Sequence, residues 1–141
     1  MKRRTLLATG ISVSVAGLAT SPHAEGVRLR ELYRKDRSFS DLALSADGER
    51  FSVWGFMAPP LKADSVFFVL TNRPMAVCPF CEPGMPWPDD ILAVYAKRVV
   101  DVVPFNVPIV VTGVLELGDE VDPELGFYSK VRLVDATFSR V

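Results

Sequence analysis

The chain reads as all-β: a small five-stranded barrel of the OB type preceded by a short N-terminal helix, with a small β-sandwich as the alternative. Three observations predict it. Apolar residues alternate with period two in several runs, proline and glycine punctuate those runs, and no long stretch keeps a helical period. Five long, curved strands in about 100 residues favour a closed sheet over a flat one, because a flat sheet leaves two edges open.

Residues 1–24 read as a leader ahead of that fold. Lys2, Arg3 and Arg4 are basic, Thr5 to Ala19 carry no charge, and Pro22-His23-Ala24 ends in a small residue, as in a secretory signal peptide. The apolar run falls short of the roughly 20 residues of a permanent anchor. Gly17-Leu18-Ala19 offers a second cleavage site, and Arg3-Arg4 leaves both Sec and twin-arginine export open. The expected location is the periplasm, with no stable membrane anchor. Removing the leader takes three of the 16 basic side chains and none of the 17 acidic ones, so the mature chain is mildly acidic. That balance argues against nucleic acid as a partner, since phosphate binding needs a basic footprint.

The elements follow in order. Over Glu25 to Asp36, Leu29, Leu32 and Tyr33 recur at i, i+3 and i+4, which predicts a short amphipathic helix or else an arm over residues 25–38. Residues 39–141 then form the domain. Leu42 and Leu44 alternate before the turn signal Asp47-Gly48, predicting a hairpin or a turn into a first strand through Phe51, Val53 and Gly55. Pro59-Pro60 ends that strand. The unbroken apolar run "SVFFVLTN" predicts a strand buried on both faces. Pro74, Pro79, Pro83, Pro86 and Pro88 exclude a helix or central strand between 74 and 90, which leaves an irregular loop. "DILAVYAKRVV" favours a strand through its β-branched content. "VPIVVTGVLEL" is a strand with a bend or bulge at Gly113. In "FYSKVRLVDATFSRV", Phe127, Val131 and Leu133 share one face and Lys130 and Arg132 the other. Beyond Leu133 the apolar set moves to Val134, Ala136 and Phe138, which predicts a bulge near Val134-Asp135.

The loop holds both cysteines of the chain, Cys78 and Cys81, in the motif C-P-F-C. Three readings stand. A metal would use the two thiolates with the thioethers of Met75 and Met85, a soft set suited to copper(I); zinc would need carboxylates such as Glu82, Asp89 or Asp90 as well. A thiol-disulfide oxidoreductase would use the same pair. C-P-F-C is similar to the dithiol of glutaredoxins, although Glu82-Pro83-Gly84-Met85-Pro86 cannot extend the helix that stabilises such a thiolate. A purely structural disulfide would close a short ring in a binding module, with a modest entropic gain. The aromatics Trp54, Phe56 and Trp87 could line a binding face or fill the core. Asp119, Glu120, Asp122 and Glu124 form an acidic turn without the spacing of a calcium loop. No catalytic constellation appears beyond the two thiols, and no cofactor-binding motif.

"SDLALSADGERFSVWGFMAPPL", "FFVLTNRPMAVCPFCE", "WPDDI" and "VRLVDA" together resemble a family of small exported bacterial proteins of unassigned function, with an OB-like domain and a cysteine-containing loop. The likeness spans roughly residues 40 to 136. It implies association with ABC-type export or metal-uptake systems, and so a non-enzymatic binding or accessory role beside such a transporter. Some relatives place histidine near the loop cysteine; here Cys81 occupies that neighbourhood.

Overall fold

The computed structural model describes residues 10, 26–60, 63–76, 87, 88 and 90–141. Apart from Gly10 the leader lies outside the described residues, as do Cys78, Cys81 and Met85. Six strands form one sheet: β1 (Val27–Arg28), β2 (Arg50–Met57), β3 (Phe67–Thr71), β4 (Ile91–Ala96), β5 (Pro108–Val121) and β6 (Tyr128–Arg140). The order is β1-β2-β3-β4-β6-β5, and β5 pairs back to β2. The five long strands therefore hydrogen-bond in a closed cycle, with β4 and β6 parallel and the other neighbours in the cycle antiparallel. The expected all-β class holds. Among the described residues no helix is long and apolar enough to cross a membrane.

Alternation along each strand sorts side chains to the two faces of the closed sheet. Val53, Met57, Phe68, Leu70, Leu92, Val94, Ile109, Val111, Leu115, Val131 and Leu133 fill the interior. Every residue of β3 is buried, as its unbroken apolar run predicts. Its outward residues Phe67 and Val69 join Ile91, Ala93, Ala58 and Phe127 in a second cluster outside the sheet.

The entry to the domain departs from expectation. Instead of an α-helix over residues 25–38, Val27–Arg28 pairs in parallel with β2 and a single 3-10 turn spans Leu29–Leu32. Leu29 and Leu32 are fully buried, so three residues are the interval between inward positions of the tighter helix. The alternation of Leu42 and Leu44 is not a strand either: Asp41–Ala46 is a helix, α1. Ser40 caps it, accepting from the Ala43 N–H at 3.3 Å, and its hydroxyl donates to the Glu31 carbonyl at 2.6 Å. A cap and alanine's helix propensity outweigh two alternating leucines. Buried Ala43 and Ala46 face the core, while Leu44 is exposed.

The bulge near Val134-Asp135 is present. Thr112 pairs with Thr137 and Val114 with Val134, so β6 carries one residue more than β5 across this step, and the β4–β6 ladder shows the same shift. Asp135 takes a φ of 51°, and burial passes from Val131 and Leu133 to Ala136. Gly113 lies opposite this bulge rather than forming it. One other expectation for this strand changes: Phe127 precedes β6 and joins the outer cluster. Arg132 lies on the face opposite Val131 and Leu133 as expected, and it is buried there.

Candidate functional site

Thr71 and Ile91 face each other in register, so the two ends of the segment between them, residues 72 and 90, are brought together. The base of this loop is tied across its two ends. The Asn72 N–H donates to the Asp90 carbonyl at 2.9 Å, the Thr71 hydroxyl donates to the Arg73 carbonyl at 2.6 Å, and Arg73 Nη2 reaches Asp90 Oδ2 at 3.3 Å. Asp90 is buried, with 11% of its side chain exposed. Its Oδ1 has no hydrogen-bond partner among the described residues. A buried carboxylate oxygen without a partner carries a desolvation cost that paired groups avoid. Asp90 thus marks the loop base as the chemically unusual place among the described residues.

Met75 is half-buried just after the base. Cys78, Cys81 and Met85, with the carboxylates of Glu82 and Asp89, fall on residues outside the description. Trp87 is where the returning chain is anchored. Its Nε1 donates to the Tyr33 hydroxyl at 2.8 Å, and its ring packs edge-on against Phe127 and Tyr128 at 6.1 and 6.3 Å. Trp87 and Leu125 pack against the outer cluster on β3 and β4, so that face of the sheet is filled.

The three aromatics read from sequence do not form one platform. Trp54 and Phe56 project from the outer face of β2 and meet edge to face at 5.1 Å. The Arg28 guanidinium lies 3.8 Å from the Trp54 ring centre, a cation–π contact that already uses one face of the indole. Trp87 belongs to the separate group around Phe127. All three are half-buried.

The acidic turn is committed internally. Asp122 Oδ1 accepts from the N–H groups of Glu124 and Leu125 at 2.8 Å each, and Asp119 accepts from the Tyr128 hydroxyl at 2.6 Å. Burial pushes against the Asp122 carboxylate, but those amides and the Tyr95 hydroxyl outweigh it and lower its pKa. Tyr95 donates to Asp122 Oδ2 at 3.0 Å, and burial together with that carboxylate drives its phenol well above the usual tyrosine range. Sequence reasoning missed the buried Arg132, whose Nε reaches Glu120 at 2.9 Å while Nη1 and Nη2 reach the Gly118 carbonyl at 3.0 and 2.9 Å. The cross-strand pair Glu116–Arg132 is the signal, and it is readable only once register is known. Among the described residues no three His, Cys, Asp or Glu side chains group to hold a metal.

No protein-family model matches the chain, and no curated protein matches it. Among solved structures the chain is similar to a crystal structure of a DUF3299 family protein from Pseudomonas aeruginosa PAO1. The TM-score is 0.55 and the sequence identity 17%, over 82% of this chain and 95% of that one. At that identity the likeness shows a shared fold and nothing finer.

Proposed function

We propose that this chain is a periplasmic, non-enzymatic binding or accessory protein of a membrane transport system, and that its working element is the C-P-F-C loop between β3 and β4, holding one metal ion. The observation that carries the metal reading is the buried Asp90 carboxylate, whose Oδ1 lacks a partner among the described residues, at the base of the loop that bears both thiols. Thiolate and carboxylate donors together suit borderline Zn²⁺ better than copper(I), which prefers thiolate and thioether. Cys78 and Cys81 would supply sulfur, Asp90 oxygen, and Met75 and Met85 would pack beside the site. The transporter partner, of the ABC type, rests on the family resemblance, and the periplasmic location on the leader.

The test is native mass spectrometry followed by denatured intact mass, on protein recovered from a periplasmic fraction without reductant. The expected result is one bound zinc with both thiols free, lost in the Cys78→Ser, Cys81→Ser double variant and weakened in Asp90→Asn. A metal-free protein lighter by two hydrogens would overturn it. That result would turn attention to thiol-disulfide exchange or a structural bridge, which the reduction potential separates. For the partner, in-cell cross-linking is expected to recover transporter subunits; recovery of none refutes the accessory role.

A further inference from the structure

A groove of about 600 Å³ opens between the chain after β4 and the end of β6, with Val99, Val102 and Phe138 among its apolar walls and three basic side chains, Lys97, Arg98 and Arg140, around them against one carboxylate, Asp101. It lies apart from the cysteine loop and takes its character from the backbone of β6. The β4–β6 ladder ends at Ala96 and Ala136. Past that point the chain after β4 turns away, with the Val100 N–H bonded to the Ser65 carbonyl. Among the described residues no strand pairs with this side of β6 beyond Ala136.

The direction of the free backbone groups can be worked out. On its other side β6 pairs regularly with β5, Thr137 against Thr112 through Arg140 against Ile109, and the Val141 N–H donates to the Pro108 carbonyl at 3.1 Å. In an antiparallel ladder alternate residues turn both backbone groups toward the partner. Residues 137, 139 and 141 therefore face β5, and 136, 138 and 140 face away. The Lys97 N–H bonded to the Ala136 carbonyl at 2.9 Å agrees with this phase. The N–H and C=O of Phe138 and Arg140 thus point into the groove, spaced to receive one more strand.

Charge identifies the occupant. Among the described residues neither the Arg98 nor the Arg140 guanidinium has an ion-pair or hydrogen-bond partner, whereas Lys97 is held by Asp135 at 3.3 Å. Pairing this edge with the same edge of a second copy would line two arginines from each molecule along one seam, and like charges across a ladder destabilise it. We propose that this edge is a docking site for an extended segment of a partner polypeptide in which acidic and apolar residues alternate. The segment adds as a strand beside Phe138 and Arg140, sets its carboxylates against Arg98 and Arg140, and lays its apolar side chains on Val99, Val102 and Phe138. The four-residue edge and the groove's volume suit a short segment, of about 13 Å at roughly 3.3 Å per residue.

The test uses the full chain, isotopically labelled, titrated with a terminally blocked hexapeptide of alternating valine and glutamate and followed by amide NMR. The expected result is a saturable set of shifts centred on Phe138, Arg140 and Lys97. Exchange of the Phe138 and Arg140 amide hydrogens should slow about tenfold when peptide stands at about ten times its Kd. Replacing glutamate by lysine should abolish binding, and so should N-methylating the peptide amides that face the edge. The variant Arg98→Glu, Arg140→Glu, which alters only exposed side chains, should keep its spectrum and lose the acidic peptide. The proposal is overturned if the N-methylated peptide binds equally well, which would leave charge alone at work. It is likewise overturned if the shifts fall elsewhere, if dodecanoate displaces the peptide from the groove and binds more tightly, or if the edge self-associates with protein concentration while ignoring the peptide.

Discussion

Gly113 offers a sharp test of how the sheet closes. A Cβ placed there would lie 2.7 Å from the Val134 carbonyl oxygen and 3.0 Å from the Ala136 Cβ. The first distance is some 0.7 Å short of ordinary contact, and the obstructing atom is backbone in the bulge, so no rotamer can move it aside. Overpacking of this kind costs about 1–3 kcal/mol, offset by up to about 1 kcal/mol because alanine has less conformational freedom to lose on folding. With backbone on the obstructing side the expected net loss for Gly113→Ala is about 2 kcal/mol, or about 8 °C in Tm for a domain of this size. Urea unfolding followed by the fluorescence of Trp54 and Trp87 reads it as a lower midpoint at unchanged slope. Adding Ala136→Gly should recover only part of the loss, since the carbonyl remains. Unchanged stability in the single variant, or complete recovery in the double, would refute the reasoning.

Arg132→Met should cost about 1–2 kcal/mol, chiefly through the Gly118 carbonyl left without its fork of donors, because Glu116 and Glu120 are exposed enough to be hydrated instead; denaturant unfolding measures it, and no loss would mean the fork is replaceable by packing. Trp87→Phe removes the 2.8 Å bond to Tyr33 and should cost about 1 kcal/mol, with a downfield-shifted indole N–H resonance disappearing from the spectrum. Asp122 has a lowered folded pKa, so its contribution is present above its unfolded value and lost as pH falls through the acid range; Asp122→Asn should flatten the acid limb of the stability profile. Tyr95 has a raised pKa, so its contribution is intact below the ordinary tyrosine value near 10 and lost as pH rises past it. Absorbance titration at alkaline pH should show fewer phenolates in the folded protein than in the denatured one, and Tyr95→Phe should remove most of that difference.

The strands were legible because apolar runs and proline punctuation are local signals, and the five long strands, Arg50–Met57, Phe67–Thr71, Ile91–Ala96, Pro108–Val121 and Tyr128–Arg140, overlap the runs read as strands, with ends that differ by several residues. The bulge at Asp135 was legible for the same reason, as a shift in the phase of apolar residues. Two readings went astray where short local patterns compete. Leu42 and Leu44 mimic a strand, yet the Ser40 cap decides for a helix, and Leu29 with Leu32 suits a 3-10 turn as well as an α-helix. Around the candidate site, Asp90 was readable only as one of several acids near the cysteines. Its burial and its unpaired oxygen depend on Arg73 and on the two ends of a 19-residue excursion meeting in space.

By itself, then, the sequence determined the all-β class, the strand positions, the bulge and the isolation of both thiols on one proline-rich loop, all set by spacing along the chain. Register and closure were decided only in three dimensions, because they depend on which strands meet. The pairing of β2 with β3 sets Gly55 against the Thr71 carbonyl, and that of β5 with β6 sets Gly113 against the Val134 carbonyl. The meeting of β5 with β6 buries Arg132 between acids. The parting of β4 from β6 at Ala136 leaves Phe138 and Arg140 with backbone groups aimed into an open, cationic groove.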